Sequence, residues 1–89
     1  MKYTVVWKPE AERRLATIWN QATDRNAVAR AAHVIDKALG TDADEVGESR
    51  EEGFRVLFEL PLGVVFEVSR DDRIARVVAV WTVESPGKS

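Results

Sequence analysis

The sequence contains no cysteine, so neither a disulfide framework nor a thiolate metal site is available to it. It has a single histidine, His33. One imidazole cannot hold a metal without carboxylates spaced around it, and no such spacing is present, so neither a metal nor a cofactor is expected. A serine or cysteine nucleophile paired with a histidine base is not expected, since cysteine is absent and His33 has no evident orienting carboxylate. The glycines at 40, 47, 53 and 63 are too scattered to make a phosphate-cradling loop. No stretch approaches the ~20 apolar residues that cross a bilayer. The opening Met1–Trp7 run is too short for a secretory signal and lacks its cleavage pattern. A cytoplasmic protein without a membrane partner is the expectation. Positive charge is also in short supply: 13 lysines and arginines against 15 acidic residues leave a net charge of −2. A general nucleic-acid binder is normally strongly basic, so gripping many phosphates is disfavoured, although an acidic domain can carry a local basic face.

What is present suits one small soluble domain. At 89 residues, 45% hydrophobic and 31% charged, the chain fits a globular protein with a modest core. The domain is expected over 1–83, with 84–89 as a flexible tail. Tyr3, Val5 and Trp7 alternate with Lys2, Thr4 and Val6, the pattern of a short strand. Pro9 suits the first position of a helix, and Glu10 and Glu12 favour the positive end of its dipole. Ala11, Leu15, Ile18 and Ala22 then form an apolar stripe, predicting a helix from about Pro9 to Gln21. Thr23, Asp24 and Asn26 recap the chain for a second helix from about Asn26 to Leu39, striped by Val28, Ala32, Ile35 and Leu39 and stopped by Gly40. So short a connection makes the two an antiparallel hairpin. From Thr41 to Gly53 the composition is acidic, which reads as a surface connection without fixed structure. Three strands close the chain: Phe54–Leu60, a turn at Pro61–Gly63, Val64–Ser69, a tight turn at Asp71–Asp72, and Ile74–Val83. The fold class is therefore α+β: an N-terminal strand, a helical hairpin, then a three-stranded antiparallel meander, with the hairpin covering one face of an antiparallel sheet of about four strands.

Several side chains stand out. His33 lies opposite the apolar stripe with Arg30 and Lys37, as a solvated group or as a basic contact stripe for an acidic partner. Ala31, Val34 and Ala38 widen the apolar surface of the second helix to one side, where small residues let a partner approach closely. The acidic run from Asp42 to Glu52 lacks the register of a calcium loop and reads as solvated. Arg50, Arg55, Arg70, Arg73 and Arg76 are the natural residues for contact with phosphate or carboxylate. Six acids share that stretch, however, and cross-strand ion pairs account for such a mixture without a ligand. Trp7, Trp19 and Trp81 are large apolar investments for packing, and Trp81 is also a candidate for a partner-binding surface.

The opening Tyr3-Thr4-Val5-Val6-Trp7-Lys8-Pro9-Glu10-Ala11-Glu12, the aromatic-arginine strand Phe54-Arg55-Val56-Leu57-Phe58-Glu59 and the closing Val77-Val78-Ala79-Val80 together resemble the RelE/ParE superfamily of bacterial toxins. Lys8 stands where a capping serine is common in that family. The resemblance implies a type II toxin–antitoxin component with a cognate antitoxin as partner, and DNA gyrase or the ribosome as target. It also implies assembly as a homodimer or a toxin–antitoxin hetero-oligomer. Ribonuclease members of the family act through basic side chains on the sheet and a C-terminal tyrosine or histidine, without metal. Matched strand by strand, Arg55 takes a basic position of the first meander strand, but the next falls on Leu57. The arginine after the following turn falls on Val65, and the closing basic pair on Thr82 and Val83, with no tyrosine after them. A competing register, which moves Phe54-Arg55 to the middle strand, leaves one strand too many. Losing one charge-stabilising donor costs ~3 kcal/mol of transition-state stabilisation, so a protein lacking several is expected to act by binding. Arg70, Arg73, Arg76, Trp81, Ala31, Val34 and Ala38 are then the candidate contacts. The alternatives are a ribosome-dependent endoribonuclease using Arg50 and Arg55, and a non-toxic relative serving as a binding module.

Overall fold

The computed structural model describes residues 2–51 and 53–83, so the expectation of a flexible tail over 84–89 lies outside the described residues. Strand β1 (Thr4–Trp7) leads directly into helix α1 (Pro9–Gln21), whose proline occupies the first turn as expected. Asp24 caps helix α2 (Arg25–Asp42), its Oδ1 accepting from the Ala27 N–H at 3.0 Å. Strand β2 (Glu48–Ser49) is a short edge, followed by β3 (Phe54–Glu59), β4 (Leu62–Ser69) and β5 (Ile74–Thr82). The sheet runs in the order β1-β5-β4-β3-β2. The β3–β4–β5 meander is antiparallel, whereas β1 lies parallel to β5, so the sheet is mixed rather than wholly antiparallel. The class is α+β, as the pattern of apolar residues predicts.

Both helices cover one face of this sheet. Ala11 and Ile18 of α1, with Val28, Ala31, Ile35 and Leu39 of α2, are buried against Leu62, Val64 and Phe66 of β4 and Ala75, Val77 and Val80 of β5. Ile35, Leu39, Leu62, Val64, Phe66 and Val77 are fully enclosed and form the centre of the core. Truncation of a side chain such as Phe66 to alanine costs about 3–5 kcal/mol in a core of this kind.

Three boundaries differ from the sequence reading, each for a tertiary reason. Helix α2 does not stop at Gly40 but continues to Asp42, because Ala43 is fully buried beyond it. Its last carbonyls find partners: Tyr3 N–H donates to Gly40 at 2.8 Å, and Glu45 and Val46 N–H donate to Asp42 at 2.8 and 3.0 Å. The acidic connection is an ordered layer edge. Val46 packs on the core, Gly47 takes φ 72, and Glu48 and Ser49 pair with Val56 and Arg55. Only glycine fits at position 47, since a Cβ there would collide with the Val56 carbonyl. Finally, the turn between β3 and β4 is Leu60–Pro61, joined by a cis peptide bond; Leu62 and Gly63 already belong to β4, opposite Glu59 and Phe58.

Candidate functional site

Residues directly opposite each other on paired strands share a face, so the registers divide every strand into a core side and an open side. Arg55, Leu57 and Glu59 lie opposite Phe66, Val64 and Leu62 and therefore point toward the helices. Phe54, Val56 and Phe58 lie opposite Glu67, Val65 and Gly63 and face outward. On β5, Trp81 lies opposite Gly63, Ala79 opposite Val65, and Arg76 opposite Glu67. No described helix covers this outer face, yet it is apolar at one end. Phe58 is 50% exposed and meets Trp81 edge-to-face, with ring centroids 6.0 Å apart. The indole lies on Gly63, where an added Cβ would approach Trp81 Cε2 to 2.8 Å. Val56 is 9% exposed although its register faces it away from the helices. Farther along the face, Arg76 donates to Glu67 at 3.1 Å. Arg76 is the one basic side chain that the described strands turn to this side, and it is already paired.

The remaining candidates lie elsewhere. Arg55 donates from Nε to the Val46 carbonyl at 2.8 Å and from Nη2 to the Gly47 carbonyl at 3.1 Å, which pins the chain entering β2. Arg50 is exposed and pairs with Glu48 at 3.3 Å on the sheet edge. Arg70 pairs with Asp44 at 3.5 Å, and Arg73 occupies the β4–β5 turn at φ 56, its carbonyl accepting from Thr4 N–H at 2.7 Å. An open cleft of about 480 Å³ brings Arg55 and Arg70 together, but Asp44 and Asp71 line it too, so it carries no excess of positive charge. Arg70 and Arg73 thus sit at the opposite end of the sheet from Trp81, and the structure does not assemble them into one surface. On α2, Ala31 is only 3% exposed and belongs to the core, which corrects its expected place in a docking groove. Val34 is exposed and Ala38 half-buried on the helical layer, away from the sheet. The apolar groove of that layer instead follows the α1–α2 junction, a cleft of about 340 Å³ containing Leu15, Trp19 and Ala32. His33 is exposed, and among the described residues no three histidine or acidic side chains gather as metal donors.

Compared by sequence, the chain matches no family model and no curated protein. Compared by structure, it is similar to the toxin–antitoxin complex RelBE2 of Mycobacterium tuberculosis, at 16% identity and a TM-score of 0.74, covering 92% of each chain. It is also similar to the chromosomal ParDE system of P. aeruginosa, at 19% identity and a TM-score of 0.70 over 93% of this chain and 98% of that one. The chain shares its fold with these toxin–antitoxin proteins. The isolated RelE toxin of E. coli aligns as well, at 12% identity and a TM-score of 0.68 over 96% of this chain and 88% of that one.

The positions singled out by the sequence resemblance separate by face. Val65 lies in the open face beside Val56, whereas Arg55 and Leu57 point inward and Thr82 lies opposite the core residue Leu62. Sequence reasoning missed the Phe58–Gly63–Trp81 row. Its only sequence signal was a glycine at a strand start, which reads equally well as a turn. No helix of the described residues is long and apolar enough to cross a membrane.

Proposed function

We propose that this chain is the toxin component of a type II toxin–antitoxin pair, acting in the cytoplasm by binding a cellular target and neutralised by a cognate antitoxin. The observation that carries this reading is the open sheet face, apolar at Phe58 and Trp81, with its one arginine held by Glu67. Such a face suits a protein partner, because exposed aromatic side chains give large desolvation gains at an interface. It suits phosphodiester cleavage poorly. Internal attack by a 2′-hydroxyl needs a proton acceptor, a proton donor and positive charge at the phosphate. Here Arg55 is tied to two carbonyls on the other side of the sheet. The likeness to solved RelBE2 and ParDE assemblies supports an antitoxin as the first partner.

The test is tightly controlled induction in a bacterial host, with growth, amino-acid incorporation and the integrity of translated mRNA followed together. Growth arrest with intact mRNA, retained by Arg76→Ala and lost in Phe58→Asp, is the expected result. Early collapse of protein synthesis with cut mRNA would instead establish the ribonuclease alternative.

A further inference from the structure

Strand β5 has neighbours on both sides over only part of its length. Strand β1 covers Ile74 to Val77, and the Lys8 N–H ends that pairing on the Val77 carbonyl at 2.9 Å. From Val78 to Thr82, β4 is the only strand paired with it among the described residues. The backbone groups on the other edge therefore have no strand to meet. An edge of this kind is a template for another strand unless charge, proline or a bulge blunts it. Val77–Val83 contains neither a charged residue nor a proline. The register shift at Val65/Phe66 falls opposite Val78, ahead of the extended Ala79–Thr82. Beside the edge is an open cleft of about 260 Å³, formed by Glu10, Ala11 and Arg14 of α1 with Val78, Ala79 and Val80. Glu10 and Arg14 are both exposed, and among the described residues neither belongs to an ion pair.

We propose that this edge pairs with the same edge of a second copy of the chain, antiparallel about a two-fold axis. A closed two-fold contact needs a self-complementary surface, and these residues supply one. The uncharged strand brings no like charges face to face. The axis sets α1 beside α1 of the second copy, so that Glu10 of each meets Arg14 of the other. Strand pairing alone buries too little for a stable dimer, which needs about 1,200–2,000 Å² in total, so the α1 contact is an integral part of the interface. This inference is independent of the toxin reading, since it concerns the edge and not the open face.

Sedimentation velocity of the purified chain over a range of concentrations tests it, together with hydrogen exchange of the Val78–Thr82 amides. The expected result is a reversible dimer whose edge amides gain protection as concentration rises. Glu10→Arg and Arg14→Glu should each weaken the dimer about tenfold, and the double swap should return its affinity to near the unaltered value. Circular dichroism confirms that these surface variants stay folded. A chain that is monomeric throughout, a dimer indifferent to the single reversals, or edge amides protected only by adding a different protein would each overturn the proposal.

Discussion

Gly63 owes its place to the indole above it. With Trp81 Cε2 2.8 Å from where a Cβ would stand, Gly63→Ala must displace a bulky ring flanked by Phe58. We expect Gly63→Ala to cost about 1–3 kcal/mol in chemical denaturation and to shift the tryptophan emission. In a Trp81→Ala background the same change should cost much less, because the collision is gone. Arg55 is a second residue whose part is set by geometry. Its guanidinium fork spans two carbonyls of the segment entering β2, and hydrogen bonds from a charged donor contribute about 1.5–3 kcal/mol. Arg55→Ala is therefore expected to lower stability by about that amount and to speed amide exchange at Glu48 and Ser49. Lysine should rescue it only in part, lacking the fork. Arg25 shows the same economy: it donates to the Trp19 and Asn20 carbonyls at the end of α1 and stacks 4.8 Å from the Trp19 ring. None of these three partnerships was legible in the sequence. An arginine announces that it wants acceptors, but not that they are backbone carbonyls several residues away.

At the scale of elements, Asp24 is a direct test of local coding. Its carboxylate caps α2 through Ala27 N–H, so Asp24→Ala should cost about 1 kcal/mol, read as a lower thermal midpoint. That cap, the Pro9 start of α1 and the alternation in β3 were legible because each is written within a few residues. The end of α2 was not. Gly40 is a local stop signal, overruled by burial of Ala43 and by the Tyr3 N–H that takes the Gly40 carbonyl. The acidic connection misled for a related reason. Most of its described charges are exposed as expected, Asp44 being half-buried, while Ala43, Val46 and the left-handed Gly47 between them fix the backbone. Composition reports the side chains that face water and is silent about the few that do not. The two helices and the four longer strands thus followed from pattern, while the short edge strand β2 did not. The parallel partnering of β1 with β5 did not, since alternation specifies a face and leaves the neighbour unspecified.

For the molecule as a whole, the division of labour is between a helix-covered side that holds the fold together and an open side that is spare. Phe58 lies outside the core at 50% exposure but packs on Trp81, so Phe58→Asp should cost only about 1–2 kcal/mol and leave the chain folded while removing partner binding in a pull-down or calorimetric titration. Loss of folding in that variant would show the open face to be structural. The candidate contacts that the sequence suggested are scattered over both layers and both ends. Spacing along a chain cannot reveal which strand face a residue takes once a two-residue turn and a register shift have reset the count. The parallel β1–β5 pairing carries one more consequence, in time. β5 lies between the first strand and the rest of the sheet, so Thr4–Trp7 has no strand to join until Ile74–Val77 has been made. A nascent chain halted before Ile74 keeps an orphaned first strand. The open face, which takes Trp81 from that same late segment, is complete only after translation has passed it. The order of synthesis is thus a built-in delay: the first strand and the aromatic row of the open face both wait for the last strand to be made.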